Sequence, residues 1–298
     1  PIDSSHKIYV WIDALVNYIS ALGYPDNELF KKYWPADLHL IGKGINWFHS
    51  VIWPAILMSA EIKLPKKIFV HGYVNISGQK VSKSLGNIVD PVTIVEQYGV
   101  DALRYFMLRE ISFGLDGDYS QAALIKRLNS DLANDIGNLL HRTLTMVEKY
   151  FEGSVPDARS ALDAGTQEQT IDKELTAKAE ALSKDLEKAM NSLDFSASLA
   201  SIWELINKAN KYIEETAPWK LAKENQPRLQ LVCYNLLEVL RIISVAIVPF
   251  MPQTAGKMAV QLGIEDRIKN AQIKDIEQWG QLRPGGKIAK GEPMFPRI

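Results

Sequence analysis

Two spacings of apolar residues divide the chain. Up to about residue 115, short β-rich runs alternate with helical ones. Residues 7–12 (KIYVWI) read as a strand, with Asp13 where a helix N-cap would sit and a helical pattern over 14–22. Residues 37–41 (DLHLI) read as a second strand. Gly42-Lys43-Gly44 then turns into a helical pattern over 45–60, with Pro54 as an irregularity. A third strand opens at Ile68. Strands alternating with helices predict an α/β fold, a partial Rossmann-type parallel sheet with helices on its faces. Ligands of such sheets bind beyond the carboxyl ends of the strands, where Asp13, residues 42–44 and residues 71–84 fall.

From Asp90 the pattern becomes all-helical. Asp90-Pro91 is a cap followed by a first-turn proline, and 92–98 and 100–109 read as helices. Residues 120–150 read as one long amphipathic helix. At about 100° per residue, Arg127, Asp131, Asn134, Asn138, Arg142, Thr145 and Lys149 lie within roughly 40° of one line. Leu128, Leu132, Ile136, Leu139, Leu140, Leu144 and Val147 face elsewhere, toward a core. Residues 153–170 read as a loop, and 171–190, 196–215, 218–223 and 228–248 as further helices. The segment after Gly263 reads as an irregular tail laid over the body. The expected organisation is a nucleotide-binding half-domain over 1–89, a connecting element over 90–118, an α-helical bundle over 119–262 and an extension over 263–298.

Composition narrows the class. Of 298 residues, 47% are hydrophobic and 23% charged, which excludes disordered, collagen-like and low-complexity chains. The net charge of −1 leaves no global cationic field, so any nucleic-acid contact has to come from local patches. The single cysteine, Cys233, permits neither an intrachain disulfide nor a cysteine-rich zinc site. It fits a reducing, cytoplasmic setting. The longest apolar stretch, near 242–251, is about half of the ~20 residues a membrane span needs, and reads as a buried helix with no membrane partner. No signal peptide is visible, and a start at Pro1 without methionine reads as a piece of a longer chain.

The densest chemistry is HGYVNISGQKVSKSLGN, residues 71–87. Two lysines, two hydroxyls and a glycine on one loop, Gly78 to Ser84, suit a triphosphate: ammonium groups neutralise charge on leaving oxygens, and hydroxyls and amides orient them. A solvated basic loop has the same composition. The string KVSKS resembles the KMSKS signature of class I aminoacyl-tRNA synthetases, with valine in place of methionine. The resemblance implies a catalytic pair in Lys80 and Lys83, with Lys83 and Ser84 on the ATP phosphates. It also places the backbone from His71 to Val74 against adenine and Gly42 and Gly44 at the nucleotide.

Two neighbouring segments narrow the family. YVWIDALVNY (9–18) and IGKGINWFH (41–49) resemble the side-chain pocket segments of methionyl-tRNA synthetases. The resemblance implies a methionine pocket lined by Trp11, Leu15, Tyr18, Ile45, Phe48 and His49. An aromatic and aliphatic box suits a flexible thioether, and a polar tip from Tyr18 or His49 near the sulfur would discriminate against leucine. By spacing alone each of these residues is equally at home in an ordinary core.

One departure is Gly44, where the family has an aspartate that helps hold the ATP ribose. A lost charge-assisted bond of that kind costs about 1–3 kcal/mol. A second is that no HIGH tetrad occurs among the five histidines, and the family's zinc-bearing insertion is missing. The resemblance therefore covers the back part of the enzyme, and the isolated chain is expected to be inactive unless joined by an N-terminal half of the same enzyme.

In the helical part, NLLHR (138–142) and Ala217-Pro218-Trp219 resemble the places where methionyl-tRNA synthetases read the anticodon. Asn138, Arg142 and Trp219 are the implied contacts: asparagine for a base edge, arginine to stack or pair, tryptophan to stack on a splayed base. Residues 90–117 match the element that touches the inner side of the tRNA. The implied activity is ATP- and Mg²⁺-dependent activation of methionine and its transfer to tRNA(Met), with no zinc in this chain. The alternatives are a non-catalytic tRNA-binding fragment or subunit, and another class I synthetase.

Overall fold

The computed structural model describes Ser5, residues 9–76, the backbone of 79–80, and residues 89–163 and 165–298. The chain forms two compact units. The first comprises 1–75 and 114–117, the second 76–113 and 118–298. Lys83, Ser84 and the side chain of Lys80 lie outside the described residues.

The first unit begins with helix α1 (Val10–Ser20) and a short α2 (Glu28–Tyr33), capped by Asn27. Strand β1 (His39–Gly42) leads through a 3₁₀ turn (Lys43–Ile45) and a π-helical turn (Phe48–Ile52) into α3 (Trp53–Ser59), and β2 (Ile68–His71) follows. β1 and β2 pair in parallel, with Gly42 opposite His71. The loops holding Lys43-Gly44 and Gly72-Tyr73 therefore leave the same, carboxyl end of the sheet. The strand expected over 7–12 is corrected at its described end, because α1 already includes Val10, Trp11 and Ile12. A β-rich composition yields there to i,i+4 burial. Leu15 and Ile19 pack with Trp34, Trp53 and Leu57, and Trp11 covers them.

The division between units falls within strands β3 (Val74–Ile76) and β5 (Gly117–Tyr119); β4 (Gln79–Lys80) is a two-residue strand. The second unit is helical. Helix α4 (Pro91–Tyr98) starts at Asp90, whose carboxylate accepts from Val92 N, and α5 (Val100–Glu110) follows across Gly99. The long run expected from 120 is continuous but not uniform. It consists of α6 (Gln121–Arg127), a π-helical stretch (Leu128–Gly137) and α7 (Asn138–Phe151). Every leucine, isoleucine and valine assigned to its core side is buried.

On the expected polar line, Arg127, Asn134, Asn138, Arg142, Thr145 and Lys149 all reach solvent, and Asp131 is the exception. Asp131, expected on the exposed face, is buried, accepting from Tyr105 Oη at 2.7 Å and Arg127 Nη1 at 2.9 Å. A short α8 (Ala158–Asp163) interrupts the loop expected over 153–170. Helices α9 (Thr170–Asn191), α10 (Phe195–Thr216), α11 (Pro218–Glu224) and α12 (Gln226–Ala246) then follow the expected boundaries closely. Two further helices, α13 (Pro252–Leu262) and α14 (Glu265–Lys269), end the bundle, so the segment beyond Gly263 is not wholly irregular.

Helix α12 is long and apolar enough to pass for a membrane span, yet it is almost wholly buried. It carries an internal pair, with Arg241 Nη2 2.7 Å from Glu238 Oε1, and Glu238 also accepts from the backbone of Gln281 and Leu282. Helix α12 is thus the axis on which the C-terminal segment is pinned.

The π-helical stretch holds a second carboxylate beside Asp131. Burial first, and the Asp131 charge second, push Asp135 up to about 6, while Trp203 opposes the rise. Because the folded state holds this proton more tightly than the unfolded chain, stability falls as pH rises from about 4 through 6. Asp135 is half-exposed, so solvent screening reduces the effect to about 1 kcal/mol. Asp135→Asn, neutral at every pH, is expected to be more stable than the parent by that amount at pH 7.5. The difference should vanish toward pH 4 in paired thermal melts, and a pH-independent difference would contradict the assignment.

Candidate functional site

The six residues of the expected methionine pocket come together on the first unit. Trp11 on α1 stacks on Phe48, with ring centroids 4.4 Å apart and planes 9° apart. His49 lies edge-on to both Trp11 and Tyr18. It is 2% exposed. Its Nδ1 faces the carbonyl of Ile45 at 3.0 Å, and its Nε2 faces Tyr18 Oη at 2.9 Å. A carbonyl only accepts, so Nδ1 carries a proton toward Ile45, and Nε2 shares a hydrogen bond with the tyrosine hydroxyl. That leaves the Tyr18 oxygen with lone pairs to offer. Burial holds the Tyr18 hydroxyl above its usual range, so it stays protonated. Leu15 forms the buried floor beneath this ring cluster.

His39 was not singled out from the sequence, yet it is the hub behind this cluster. Its ring lies 4.4 Å from that of Tyr18 and 6.0 Å from that of Trp34. Trp53 Nε1 donates to His39 Nε2 at 3.2 Å. An imidazole accepting at Nε2 is neutral, and burial together with His49 lowers its pKa. The signal in the sequence was a histidine alternating with apolar residues on a strand, which reads equally well as core.

At the carboxyl ends of β1 and β2, Lys43 forms an ion pair with Asp116 and lies over the Tyr73 ring, 4.7 Å from its centroid. Asp116 also accepts from Tyr73 N at 2.7 Å. The Lys43 and Tyr73 hydrogen bonds hold its carboxyl below the usual range. Gly72 is required here, since a Cβ would fall 2.3 Å from the Leu115 backbone. At Gly44 a Cβ would fall 2.3 Å from the Tyr73 hydroxyl. The space into which an aspartate side chain would start is therefore filled by a phenol. His71 directs Nδ1 to the carbonyl of Gly72 at 2.9 Å, and Val74 is partly exposed on β3.

The three expected anticodon contacts lie on the second unit. Asn138 is exposed at the start of α7. Arg142, one turn on, is half-buried and pairs with Glu214 at 2.7 Å. Trp219 follows a left-handed Ala217 (φ 43°) and a buried Pro218, and its side chain stands on the surface, 44% exposed. A tryptophan at the second position of a short helix with 44% of its surface exposed is not a core residue.

Known proteins divide the chain later in the sequence than the two compact units do. A family model described as tRNA synthetases class I (M) matches residues 1–144, and one described as the anticodon binding domain of methionyl tRNA ligase matches 155–298. A methionine–tRNA ligase of Caldanaerobacter subterraneus is 52% identical over all of this chain and 46% of its own length. One of Bacillus subtilis is 48% identical over all of this chain and 44% of its own. The chain thus spans about half the length of these relatives. Among solved structures, Mycobacterium tuberculosis methionyl-tRNA synthetase in complex with methionyl-adenylate superposes with a TM-score of 0.90 at 42% identity, covering 100% of this chain and 57% of that one. By sequence and by fold, the chain belongs to the methionyl-tRNA synthetase family of class I aminoacyl-tRNA synthetases.

Proposed function

We propose that the chain is the methionine-selecting and tRNA-binding portion of a methionine–tRNA ligase. The observation that carries this reading is the hydrogen-bonded His49–Tyr18 pair set beside the Trp11–Phe48 stack. The aromatic faces give a thioether dispersion and sulfur–π contact, and the single polar tip favours sulfur over a branched methyl end. In the complete enzyme a methionine carboxylate oxygen attacks the α-phosphorus of ATP and pyrophosphate leaves. The terminal adenosine hydroxyl of tRNA(Met) then attacks the acyl carbon and AMP leaves. Lys80, Lys83 and Ser84 meet the triphosphate, Mg²⁺ arrives with it, and Gly42, Gly44 and the backbone of His71–Val74 border the nucleoside. Catalysis is positioning and charge neutralisation, with no covalent enzyme intermediate. A cytoplasmic setting and an N-terminal half carrying the rest of the ATP site complete the reading.

The test is amino-acid-dependent pyrophosphate exchange by the full-length protein. Methionine should support exchange and leucine should not. Tyr18→Phe, which removes the hydroxyl bonded to His49, is expected to raise KM for methionine about 3- to 10-fold while leaving KM for ATP unchanged. Equal exchange with leucine in the parent would overturn the assignment. A second reading, tRNA binding without catalysis, is favoured by one feature, the Tyr73 phenol in the place of a ribose-binding carboxylate at 44. Absence of exchange with intact tRNA binding would select it.

A further inference from the structure

The second unit carries a cleft of about 700 Å³ that the account above does not use. Three guanidinium-bearing residues line it, Arg159 from α8, Arg267 from α14 and Arg283 from the C-terminal segment, together with Trp279. Two carboxylates share the lining, Asp157 and Glu168, but neither is paired with these arginines. Asp157 caps α8 instead, accepting from the backbone of Arg159 at 3.0 Å and of Ser160 at 3.4 Å. Arg267 donates to the carbonyl of Gln281 at 2.9 Å. Among the described residues, the side chains of Arg159 and Arg283 form no hydrogen bond or ion pair. A cleft that collects three planar donor forks beside an indole, and leaves two of them uncommitted, matches an anion built of phosphates and flat rings.

Its position adds a second argument. Glu168 also lines a neighbouring cleft of about 670 Å³, which reaches Thr216 and Leu221, the residues that flank Ala217-Pro218-Trp219. The two clefts share Glu168 as a wall, and the second comes close in sequence to Trp219, so this inference rests on the anticodon reading. We propose that the Arg159–Arg267–Arg283 cleft grips the ribose-phosphate backbone of the bound tRNA, with an unpaired base against Trp279. The net charge of the whole chain is −1, so a local cluster of this kind is the form that electrostatic RNA binding has to take here.

The test is filter binding of tRNA(Met) to the full-length protein between about 50 and 300 mM salt. The Arg159→Gln/Arg283→Gln variant is compared with the parent. Neither side chain holds the fold, so the unfolding midpoint should stay where it is. Affinity at low salt should fall by roughly tenfold, and the slope of log K against log salt should shrink by about 1.4–1.8, two phosphate contacts' worth. Replacing both residues by lysine should restore the slope but only part of the affinity, because an ammonium cannot make the bidentate contact. Parental affinity and slope in the glutamine variant, or lost affinity with an unchanged slope, would overturn the proposal. Trp219→Ala, measured alongside, separates the two levels. If it weakens binding while the arginine variant does not, the cleft assignment alone fails. If tRNA binding survives both, the assignment of the whole surface fails with it.

Discussion

Arg228→Met will cost the second unit about 3–5 kcal/mol and lower its unfolding midpoint by roughly 10 °C. Asp172 on α9 is fully buried and depends on Arg228 for its charge balance: Nη1 donates at 2.6 Å and Nη2 at 2.9 Å. The Tyr212 hydroxyl and Asn235 Nδ2 complete its shell from α10 and α12, and Gln169 N donates to it at 2.6 Å as half of a capping box. One carboxylate thus ties three helices and a helix N-terminus. Removing the guanidinium leaves an ion in an apolar interior with only neutral donors. Removing both charges, as Asp172→Leu/Arg228→Met, should cost clearly less than the sum of the single changes, because no orphan charge remains. Additive losses in a double-mutant cycle would show that the pair is not coupled.

Trp219→Ala will weaken tRNA(Met) binding by about 10- to 100-fold, the worth of one stacked base, and leave thermal stability within about 1 kcal/mol of the parent. The side chain has little fold to lose. Pro218 before it is buried and anchors the turn, whereas the tryptophan is only partly covered. The check is a pair of measurements on the same protein, a tRNA binding isotherm and a thermal melt. Comparable losses in both would make Trp219 a packing residue, and a binding loss alone supports its place on the anticodon. Trp219→Phe should recover much of the affinity, since a phenyl ring still offers a stacking face.

Much of this arrangement is legible in the sequence, for identifiable reasons. Asp90-Pro91 announces α4 because a side-chain acceptor and a missing N–H both suit a first turn. The burial of Leu132, Ile136, Leu139 and Leu144 follows from their spacing. The described end of the 7–12 run fails because β-propensity records a fit to a half-buried surface, and at Trp11 and Leu15 a helical face supplies that surface. Helix α13 is hard to read from the sequence although Ala255, Met258, Ala259 and Leu262 repeat at helical intervals, since its small residues carry a weak apolar signal. The aromatic cluster around His49 was found through motif resemblance, while His39 was not, because a histidine whose partners are Trp53 and Tyr18 is defined only by contacts distant in sequence. A count at 100° per residue presumes uniform winding, and so puts Asp131 on the exposed side.

The π-helical winding has a consequence for how the proposed anticodon surface is aimed. The π-helical stretch over Leu128–Gly137 spends more residues per revolution than the helices at either end, so it sets the azimuth at which Asn138 and Arg142 emerge. Deleting one residue within it would re-clock the helix downstream by somewhat less than the ~100° of an α-helical residue while hardly altering its length. The direction in which those two side chains point is thus encoded as a count of residues upstream.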